Sequence, residues 1–429
     1  MRRMKKSSIF CGNIPSNWEY KRLKYVINVI MGQSPDSSAI NDENGVPFMQ
    51  GATEFGVSHP HVTQFCDNPK KLSREGDILM TVRAPVGKMN ISDQVYCIGR
   101  GLCSIKAIGV NPDYLKYFII KSGEDFNYYS NGTTYDAITI SDIKNFYICV
   151  PSTPEQVAIV HYLDIKCKAI DEAIERHKEI IKKLEKYKSD NLSYFTLNGL
   201  HKIKKIKDSG VEWLENVPKS WKMIRGKYLF EEVSEKSKTG EEELLTVSQY
   251  TGITPRSQKN VTMFEAESLV GYKICEAGDI AANTMWLWAG AIGVSDYYGV
   301  ISPSYNVYRQ IDNAYDKDYL DCLLRSKPLV QHYKALSTGI RPSRLRLYPT
   351  QFLNIKFPVP PKDEQREIAS YLKEVFRRTD EAIKRKDNII SKLEDYRKAV
   401  IYNAVTGKID CRTYSRTKSV NTVDTIQKE

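Results

Sequence analysis

The sequence predicts an α+β protein in which two globular domains alternate with two long helices, arranged as a pseudo-two-fold repeat. Three observations predict this fold class. The chain has 429 residues, more than one ordinary core requires, and 41% of them are hydrophobic, which is enough for packed cores. A helical segment occurs twice along the chain, and a mixed segment of short strand-like runs precedes each copy.

The repeat is clearest in the segments that begin at Glu155-Gln156 and at Glu364-Gln365. Over the 34 positions from these pairs onward, 16 are identical. Upstream, an Ile-Pro-Ser-Asn-Trp motif that ends at Trp18 corresponds to a Val-Pro-Lys-Ser-Trp motif that ends at Trp221. Each half therefore runs from Pro-x-x-Trp through a mixed segment to Val-Pro, Glu-Gln and a long helix.

Apolar residues in the two repeated segments recur at alternating spacings of three and four, which is the heptad pattern of a coiled coil. Each segment predicts a helix of about 35 residues and roughly 50 Å. A single apolar stripe of this length needs a partner, so we expect the two helices to pack as an antiparallel coiled coil. At the equivalent seam positions His177 and Lys386, tolerated polar layers are favoured over a role in setting the register. The predicted packing residues are Val160, Leu163, Ile170, Ile174, Ile181, Leu184, Leu372, Phe376, Ile383, Ile390 and Leu393.

The repeat and the composition also predict the domain boundaries. Strand-like runs at 77–82, 96–105, 305–311 and 354–359 and helical stretches near 113–121 and 318–336 identify the globular parts. A Gly-Asp-Ile motif occurs once in each part. The predicted order is a basic tail (1–13), a first domain (14–150), a first helix region (151–200), a second domain (201–357), a second helix region (358–410) and a polar tail (411–429).

Charge and composition limit the possible partners. The chain carries 63 basic and 52 acidic residues, a formal net charge of +11, which suits a polyanion such as DNA. Its 27 tyrosines are interpreted mainly as packing residues and less as base-stacking ones. Nine scattered cysteines without a CxxC pair predict reduced thiols in a cytoplasmic protein. No apolar run of about 18 residues occurs, and the basic N-terminus leads into no apolar stretch, so neither a membrane span nor a secretory signal is expected.

Motifs that carry catalytic chemistry are missing from the sequence. It contains no phosphate-binding G-x-x-x-x-G-K-[ST] loop, no G-x-G-x-x-G after a strand, no Asn-Pro-Pro-Tyr or Asp-Pro-Pro-Tyr run and no H-E-x-x-H. His59 and His61 lack a third ligand that would make a metal site. Together these absences favour a binding module over an enzyme.

Several strings resemble the specificity subunits of type I restriction-modification systems. Residues 208–221 are similar to the opening of a target-recognition domain in that family, and the doubled Val-Pro, Glu-Gln and Lys-Leu-Glu-x-Tyr elements are similar to its spacer helices. The segment Gly407-Lys408-Ile409 after the second helix also resembles the spacer regions of that family. The resemblance covers about residues 14–410. The first domain's opening departs from it, because Phe10 stands where the second copy has Trp213.

The resemblance implies a non-catalytic subunit whose two target-recognition domains each read one half of a split site in double-stranded DNA. The helices would then fix the gap between the half-sites. The implied protein partners are two methyltransferase subunits and, in the full complex, two restriction subunits that translocate DNA. S-adenosylmethionine, ATP and Mg would bind those partners, and this chain would hold no cofactor or metal.

Polar residues in the glycine-rich loops of each domain are the predicted DNA contacts, because glycine lets the backbone approach a groove. In the stretch 337–346, three arginines surround Gly339 and Pro342, and both a solvated basic loop and DNA contact remain open. Trp286 and Trp288 flank Leu287 on a predicted strand, where core packing is favoured over base stacking. The predicted contacts are Gln50, Arg83, Lys88, Thr133, Thr134, Tyr135, Gln249, Arg256, Arg341, Arg344 and Arg346.

Two other function classes compete with DNA reading. The chain could be a nuclease or methyltransferase with an unrecognised active site, which cofactor-binding tests would expose. It could also be an adaptor whose coiled coil organises proteins and whose domains bind peptides. The basic loops and the duplicated domains favour DNA.

Overall fold

The computed structural model of the chain describes residues 4–8, 11–127, 137–200, 205–258, 268–339 and 345–416. The chain divides into two compact units, of which unit 1 comprises residues 1–177 and 388–429 and unit 2 comprises residues 178–387. The boundaries fall inside the two long helices. Each unit therefore contains one globular domain, part of the helix that follows it and part of the other helix.

Short strands and two helices build the globular part of unit 1. The strands are β1 (Met4–Ser8), β2 (Gly12–Pro15), β3 (Glu19–Arg22), β4 (Ile27–Met31), β5 (Ile40–Asn41), β6 (Val46–Met49), β7 (Gln64–Cys66), β8 (Ile78–Thr81), β9 (Met89–Ile91), β10 (Cys97–Ile98), β11 (Leu102–Ala107) and β12 (Tyr147–Val150). The helices are α1 (Pro112–Asn127) and α2 (Ile140–Asn145). The run predicted as one strand over 96–105 is divided between β10 and β11 by a turn.

Two four-stranded sheets form the frame of this domain. One has the order β4-β11-β8-β9 and is antiparallel throughout, and the other has the order β10-β6-β7-β5. Strand β8 begins at Ile78 of the Gly-Asp-Ile motif and is completely buried. Helix α1 packs its buried face on the same core, with Tyr114, Leu115 and Phe118 fully enclosed.

The first long helix, α3, spans Thr153–Asn198, 46 residues. It is longer than the heptad pattern predicts, because the final turns continue past the seam. The side chains of Leu192, Phe195 and Leu197 pack into the core of unit 2, and this tertiary burial extends the helix beyond its coiled-coil pattern.

The globular part of unit 2 repeats the architecture. Its strands are β13 (Ile206–Val211), β14 (Leu214–Pro218), β15 (Lys222–Arg225), β16 (Phe230–Val233), β17 (Leu245–Ser248), β18 (Gly252–Pro255), β19 (Lys273–Cys275), β20 (Ile280–Ala282), β21 (Ile292–Val294), β22 (Gly299–Ile301), β23 (Asn306–Gln310) and β24 (Lys356–Val359). Its helices are α4 (Lys317–Leu324), α5 (Lys327–Leu336) and α6 (Pro349–Asn354), followed by the long α7 (Lys362–Val405).

The sheet β16-β23-β20-β21 has the same antiparallel order as β4-β11-β8-β9 of unit 1. The second Gly-Asp-Ile strand, β20, occupies the position that β8 has in the first sheet. The edge pair of β15 and β24 likewise matches that of β3 and β12. The prediction of a repeated α+β fold is therefore confirmed.

The long helices pack antiparallel within each unit. In unit 1, Ile170 and Ile174 of α3 form a hydrophobic cluster with Leu393 of α7, and earlier residues of α3 pack with later residues of α7. The carboxylate of Asp171 accepts a hydrogen bond from Arg397 at 2.9 Å. In unit 2 the C-terminal part of α3 lies against the N-terminal part of α7, and Lys188 of α3 pairs with Asp380 of α7 at 2.6 Å.

Most of the predicted packing residues lie in hydrophobic clusters. Those in clusters are Val160, Leu163, Ile170, Ile174, Leu372, Phe376, Ile390 and Leu393. The remaining three, Ile181, Leu184 and Ile383, are half-buried. The polar seam residues His177 and Lys386 are half-buried as well.

Each long helix is attached to its own domain by its first-turn Glu-Gln pair. The indole N–H of Trp18 donates to Glu155 at 3.1 Å, and that of Trp221 donates to Glu364 at 3.1 Å. The side chain of Gln156 accepts from the backbone N–H of Asn111 and donates to the carbonyl of Pro151. We call this arrangement the helix latch; it joins the Pro-x-x-Trp motif, the Val-Pro strand end and the helix start.

Each unit also holds the last turn of the other long helix. The hydroxyl of Tyr114 donates to the carbonyls of Cys149 and Val405, and the hydroxyl of Tyr319 donates to the carbonyl of Thr196. In unit 1 the chain then turns at Gly407, whose φ is +72° and where a Cβ atom would lie 2.5 Å from the ring of Pro15. The Gly-Lys-Ile segment therefore completes the core of unit 1.

Replacing Gln365 by alanine should lower the free energy of unfolding by about 2 kcal/mol, because a buried N–H and two carbonyls lose their partners. Gln365 is fully buried, accepts from the Asp316 N–H at 2.6 Å and donates to the carbonyls of Pro360 and Ala314. Urea denaturation followed by circular dichroism measures the change. Lys373→Ala, at an exposed position on the same helix, is the control and should stay within about 0.5 kcal/mol. If Gln365→Ala and Lys373→Ala lowered the free energy of unfolding equally, the stabilising role of the helix latch would be contradicted.

Candidate nucleic-acid interface

Four segments of the first domain meet at the turn between β10 and β11. The N–H of Gly99 donates to the carbonyl of Met49, and the N–H of Gly32 donates to that of Leu102. The N–H of Val82, at the end of β8, donates to the carbonyl of Gly101 at 2.9 Å. These backbone hydrogen bonds place the ends of β4, β6 and β8 beside one turn. We call residues 99–102 the reader turn.

The close approach of these segments requires glycine. A Cβ atom at Gly32 would lie 2.1 Å from the carbonyl oxygen of Gly99, and one at Gly101 would lie 2.4 Å from the carbonyl oxygen of Gln50. A Cβ atom at Gly99 would lie 2.4 Å from the side-chain oxygen of Gln50. Only glycine at these three positions therefore permits the observed packing of the turn against β4, β6 and Gln50.

Polar side chains surround the reader turn. Gln50 and Arg100 are exposed, and the hydroxyl of Ser34 links them: it donates to Gln50 Oε1 at 3.2 Å and accepts from the backbone N–H of Arg100 at 3.4 Å. The predicted contact Arg83 follows Val82 and is exposed beside the turn. Sequence reasoning missed Arg100 and Ser34, although the Gly-Arg-Gly string at 99–101 was a visible signal.

The cations of these loops differ from those of the helices. Arg83, Lys88 and Arg100 are exposed and form no ion pair with any other residue in the described ranges. On α7, by contrast, Arg377 and Arg378 bind the carboxylate of Glu374. Arg83, Lys88 and Arg100 thus remain available to an anion, whereas these two helix cations are neutralised locally.

The second domain has an equivalent turn at residues 302–305. The N–H of Tyr305 donates to the carbonyl of Ser302 at 2.9 Å, as Leu102 does to Gly99 at 3.0 Å. The hydroxyl of Thr284 donates to the carbonyl of Ser304, which replaces the backbone bond made by Val82. This turn therefore presents Pro303 where the first domain presents Arg100.

Two tryptophans occupy the hairpin loop beside this second turn, and the prediction of a strand that packs both in the core is wrong. Residues Leu287–Ala289 form a 3-10 turn that directs Leu287 inward and leaves Trp286 49% exposed. The rings of Trp286 and Trp288 stack with centroids 5.7 Å apart. Trp288 Nε1 donates to the carbonyl of Met285 at 2.9 Å, so the pair is fixed by its own loop.

The predicted contacts Gln249 and Arg256 lie at the two ends of β18. Gln249 is exposed in the turn that precedes β18, next to Tyr250, whose carbonyl accepts from Arg325 at 2.7 Å. Arg325 in turn pairs with Asp321. Burial raises the pKa of the Asp321 carboxyl, and the Arg325 charge opposes that rise. Arg256 is half-buried at the end of β18.

The loop after α5 is closed at its base by two backbone hydrogen bonds between Thr338 and Arg346, at 2.9 and 3.0 Å. Arg346 is exposed. The other predicted contacts of this loop, Arg341 and Arg344, lie outside the described residues. So do the first domain's Thr133, Thr134 and Tyr135.

Clusters of metal-ligating side chains and membrane-spanning helices are both absent from the part of the chain that the structure describes. No group of three or more His, Cys, Asp or Glu side chains that could hold a metal ion occurs there. Among the helices in those ranges, none is both long and apolar enough to span a bilayer. All nine cysteines lie in described residues and have free thiols.

Alanine at Gly32 should destabilise the protein by about 2 kcal/mol, because its Cβ would strike a backbone oxygen that the turn holds in place. Alanine at Gly99 should cost less, about 1 kcal/mol, because its nearest neighbour is the flexible end of Gln50. Thermal unfolding of both variants measures the difference. If Gly99→Ala proved the more damaging of the two, the proposed packing of the reader turn would be incorrect.

The chain shares its domain type with a known protein family. The model of the type I restriction modification DNA specificity domain matches twice, at residues 15–186 and 218–392. A protein of Methanocaldococcus jannaschii with the provisional name type I restriction enzyme MjaX specificity subunit is 41% identical over 191 residues. That alignment covers 42% of this chain and 43% of the relative. The type I restriction enzyme MjaIX specificity subunit of the same organism is 27% identical over 189 residues, 41% of this chain and 43% of the relative.

This chain thus matches less than half of the length of either relative. Among solved structures, one that concerns complex assembly and conformational transition of the type I R-M system has a TM-score of 0.66. Its sequence is 18% identical to this chain, and the match covers 92% of this chain and 99% of that one. This likeness shows a shared fold. Because two copies of the family's domain account for most of its length, this chain belongs to the type I restriction modification DNA specificity family.

Proposed function

We propose that this chain is the non-catalytic specificity subunit of a type I restriction-modification complex and that each domain reads one half of a bipartite site in double-stranded DNA. The observation that carries the proposal is the reader turn, where exposed Gln50, Arg83 and Arg100 converge on glycine-rich backbone. The membership of the family supports the same function.

The residue types around the turn suit a DNA duplex. Exposed arginine and lysine side chains that lack a protein anion bind backbone phosphates and release counterions. Glutamine and arginine can also read base edges in the major groove through paired hydrogen bonds. Peptide-binding surfaces of an adaptor would be expected to offer an apolar groove or a free strand edge instead.

The two halves of the site differ in sequence under this proposal. The first domain presents cations and an amide at its turn, whereas the second presents Trp286, Trp288 and Pro303 at the equivalent place. Similar backbone frames with different side chains read different bases. The bipartite site is therefore asymmetric, and the helices α3 and α7 act as the spacer between the two readers.

The proposed partners are two methyltransferase subunits, joined in the full complex by two restriction subunits that translocate DNA. S-adenosylmethionine, ATP and Mg²⁺ bind those partners in this scheme, and this chain holds none of them. The fold shared with a chain from a solved type I R-M system supports the assembly.

Deleting the gene should remove one split, asymmetric methylated-adenine motif from the host genome, because the methyltransferase then lacks its DNA reader. Single-molecule sequencing of the genome with and without the gene measures the methylation. Restoring the gene on a plasmid is the control and should restore the motif. Unchanged methylation in a host whose methyltransferase co-purifies with this chain would contradict the proposal.

Replacing Arg83 and Lys88 by glutamine should reduce the slope of log affinity against log salt by about 1 for each phosphate that the variant no longer binds. Titrations of the full-length protein with duplex DNA at several salt concentrations measure the slope. Arg377→Gln on α7 is the matched control, because this arginine is already paired with Glu374 and Glu381 and should leave the slope unchanged. The same slope for the double variant and the wild type would place phosphate binding elsewhere on the protein.

A further inference from the structure

We infer that Gln50 and Arg100 form the base-reading pair of the first domain and that they read an adenine and a guanine at neighbouring base pairs, with Gly99 as a positioning residue. The inference rests on the proposed function and names the bases that one half-site must contain. It starts from two residues on segments distant in sequence, which Ser34 links through the side chain of Gln50 and the backbone N–H of Arg100.

Ser34 fixes the relation between the two readers. Its hydroxyl donates to Gln50 Oε1 at 3.2 Å and accepts from the Arg100 backbone N–H at 3.4 Å. The bond to Ser34 orients the Gln50 amide and leaves one lone pair of Oε1 and both Nε2 hydrogens for a ligand. An oriented amide discriminates better than a freely rotating one, because binding then costs less rotamer entropy.

The chemistry of the pair identifies the bases. A glutamine amide that offers one donor and one acceptor matches adenine, which presents N7 as acceptor and N6 as donor in the major groove. An arginine guanidinium offers parallel donors that match N7 and O6 of guanine. Arg100 is exposed and has no ion-pair partner in the described part of the chain, so no protein anion competes for its donors.

The spacing of the pair fits adjacent base pairs. The Gln50 side chain lies against Gly99, where an added Cβ would approach Oε1 to 2.4 Å, and Arg100 is the next residue. Because the Gln50 amide lies against the residue that precedes Arg100, the two readers address neighbouring steps of the duplex in this scheme.

Gly99 controls the Gln50 amide without touching DNA in this scheme. Its missing side chain is the space that the amide oxygen occupies, and an alanine there would displace the flexible end of Gln50 before it displaced backbone. The second domain has Ser302 and Pro303 at the equivalent turn positions. Proline cannot present a guanidinium, so this reading pair belongs to the first half-site alone.

The experiment selects bound sequences from a duplex pool with randomised positions, using the full-length chain purified with any methyltransferase that accompanies it. The wild type should select two conserved half-sites. Gln50→Ala should lose the preference for adenine at one position, and Arg100→Ala the preference for guanine at the adjacent one, each by about tenfold or more. Arg100→Lys should keep the affinity and lose the guanine preference, because lysine keeps the charge without the planar fork.

Two further variants sharpen the test. Gly99→Ala should lose the same adenine preference as Gln50→Ala, while its circular dichroism spectrum stays that of the wild type. Trp286→Ala, in the equivalent loop of the second domain, is the matched control and should leave the first half-site unchanged. The inference would be overturned if Gln50→Ala and Arg100→Ala altered the base preference at non-adjacent positions or in the other half-site. It would also be overturned if they weakened the binding of all sequences equally. If the wild type selected no bipartite sequence, the proposed function itself would fail.

Discussion

The architecture depends on the Glu-Gln pair that begins each long helix and whose glutamine is buried in both copies. A buried glutamine amide without partners costs more than an apolar side chain, so the three hydrogen bonds of Gln365 and the equivalent bonds of Gln156 tie helix, strand end and domain loop together. Trp18 and Trp221 add the Pro-x-x-Trp segments to the same points. Together with the apolar residues of the first helical turns, this latch sets the direction in which helices of 46 and 44 residues leave their own domains.

Most of the frame could be predicted from the sequence because its signals are local and repeated. Heptad spacing identified α3 and α7, and the doubled motifs identified the repeat. The end of α3 could not be predicted, since its last turns are helical only where Leu192 and Leu197 find a core made by distant residues. Trp286 and Trp288 were misjudged because an alternating pattern of three residues fits a strand and a 3-10 turn equally well.

The candidate interface was predictable only in part. Gln50 and Arg83 were predicted as DNA contacts because they lie in glycine-rich loops, and the structure places both beside the reader turn. Arg100 and Ser34 were missed because they come together only through the pairing of segments that lie 66 residues apart in the sequence. Contacts of this kind depend on sheet order, and a single sequence does not encode sheet order in any local pattern.

The turns that carry the readers separate stability from recognition. Backbone hydrogen bonds hold the reader turn, and one backbone bond together with the Thr284 hydroxyl holds its counterpart at 302–305. None of these bonds involves the side chain of Arg100 or Pro303. Arginine in one turn and proline in the other can therefore occupy the same frame at little cost to folding. Under the proposed function, such a turn would change its DNA target by substitution at exposed positions, while glycines such as Gly32, which the close backbone approach requires, stay under structural constraint. The differences between the two halves of this chain follow that division.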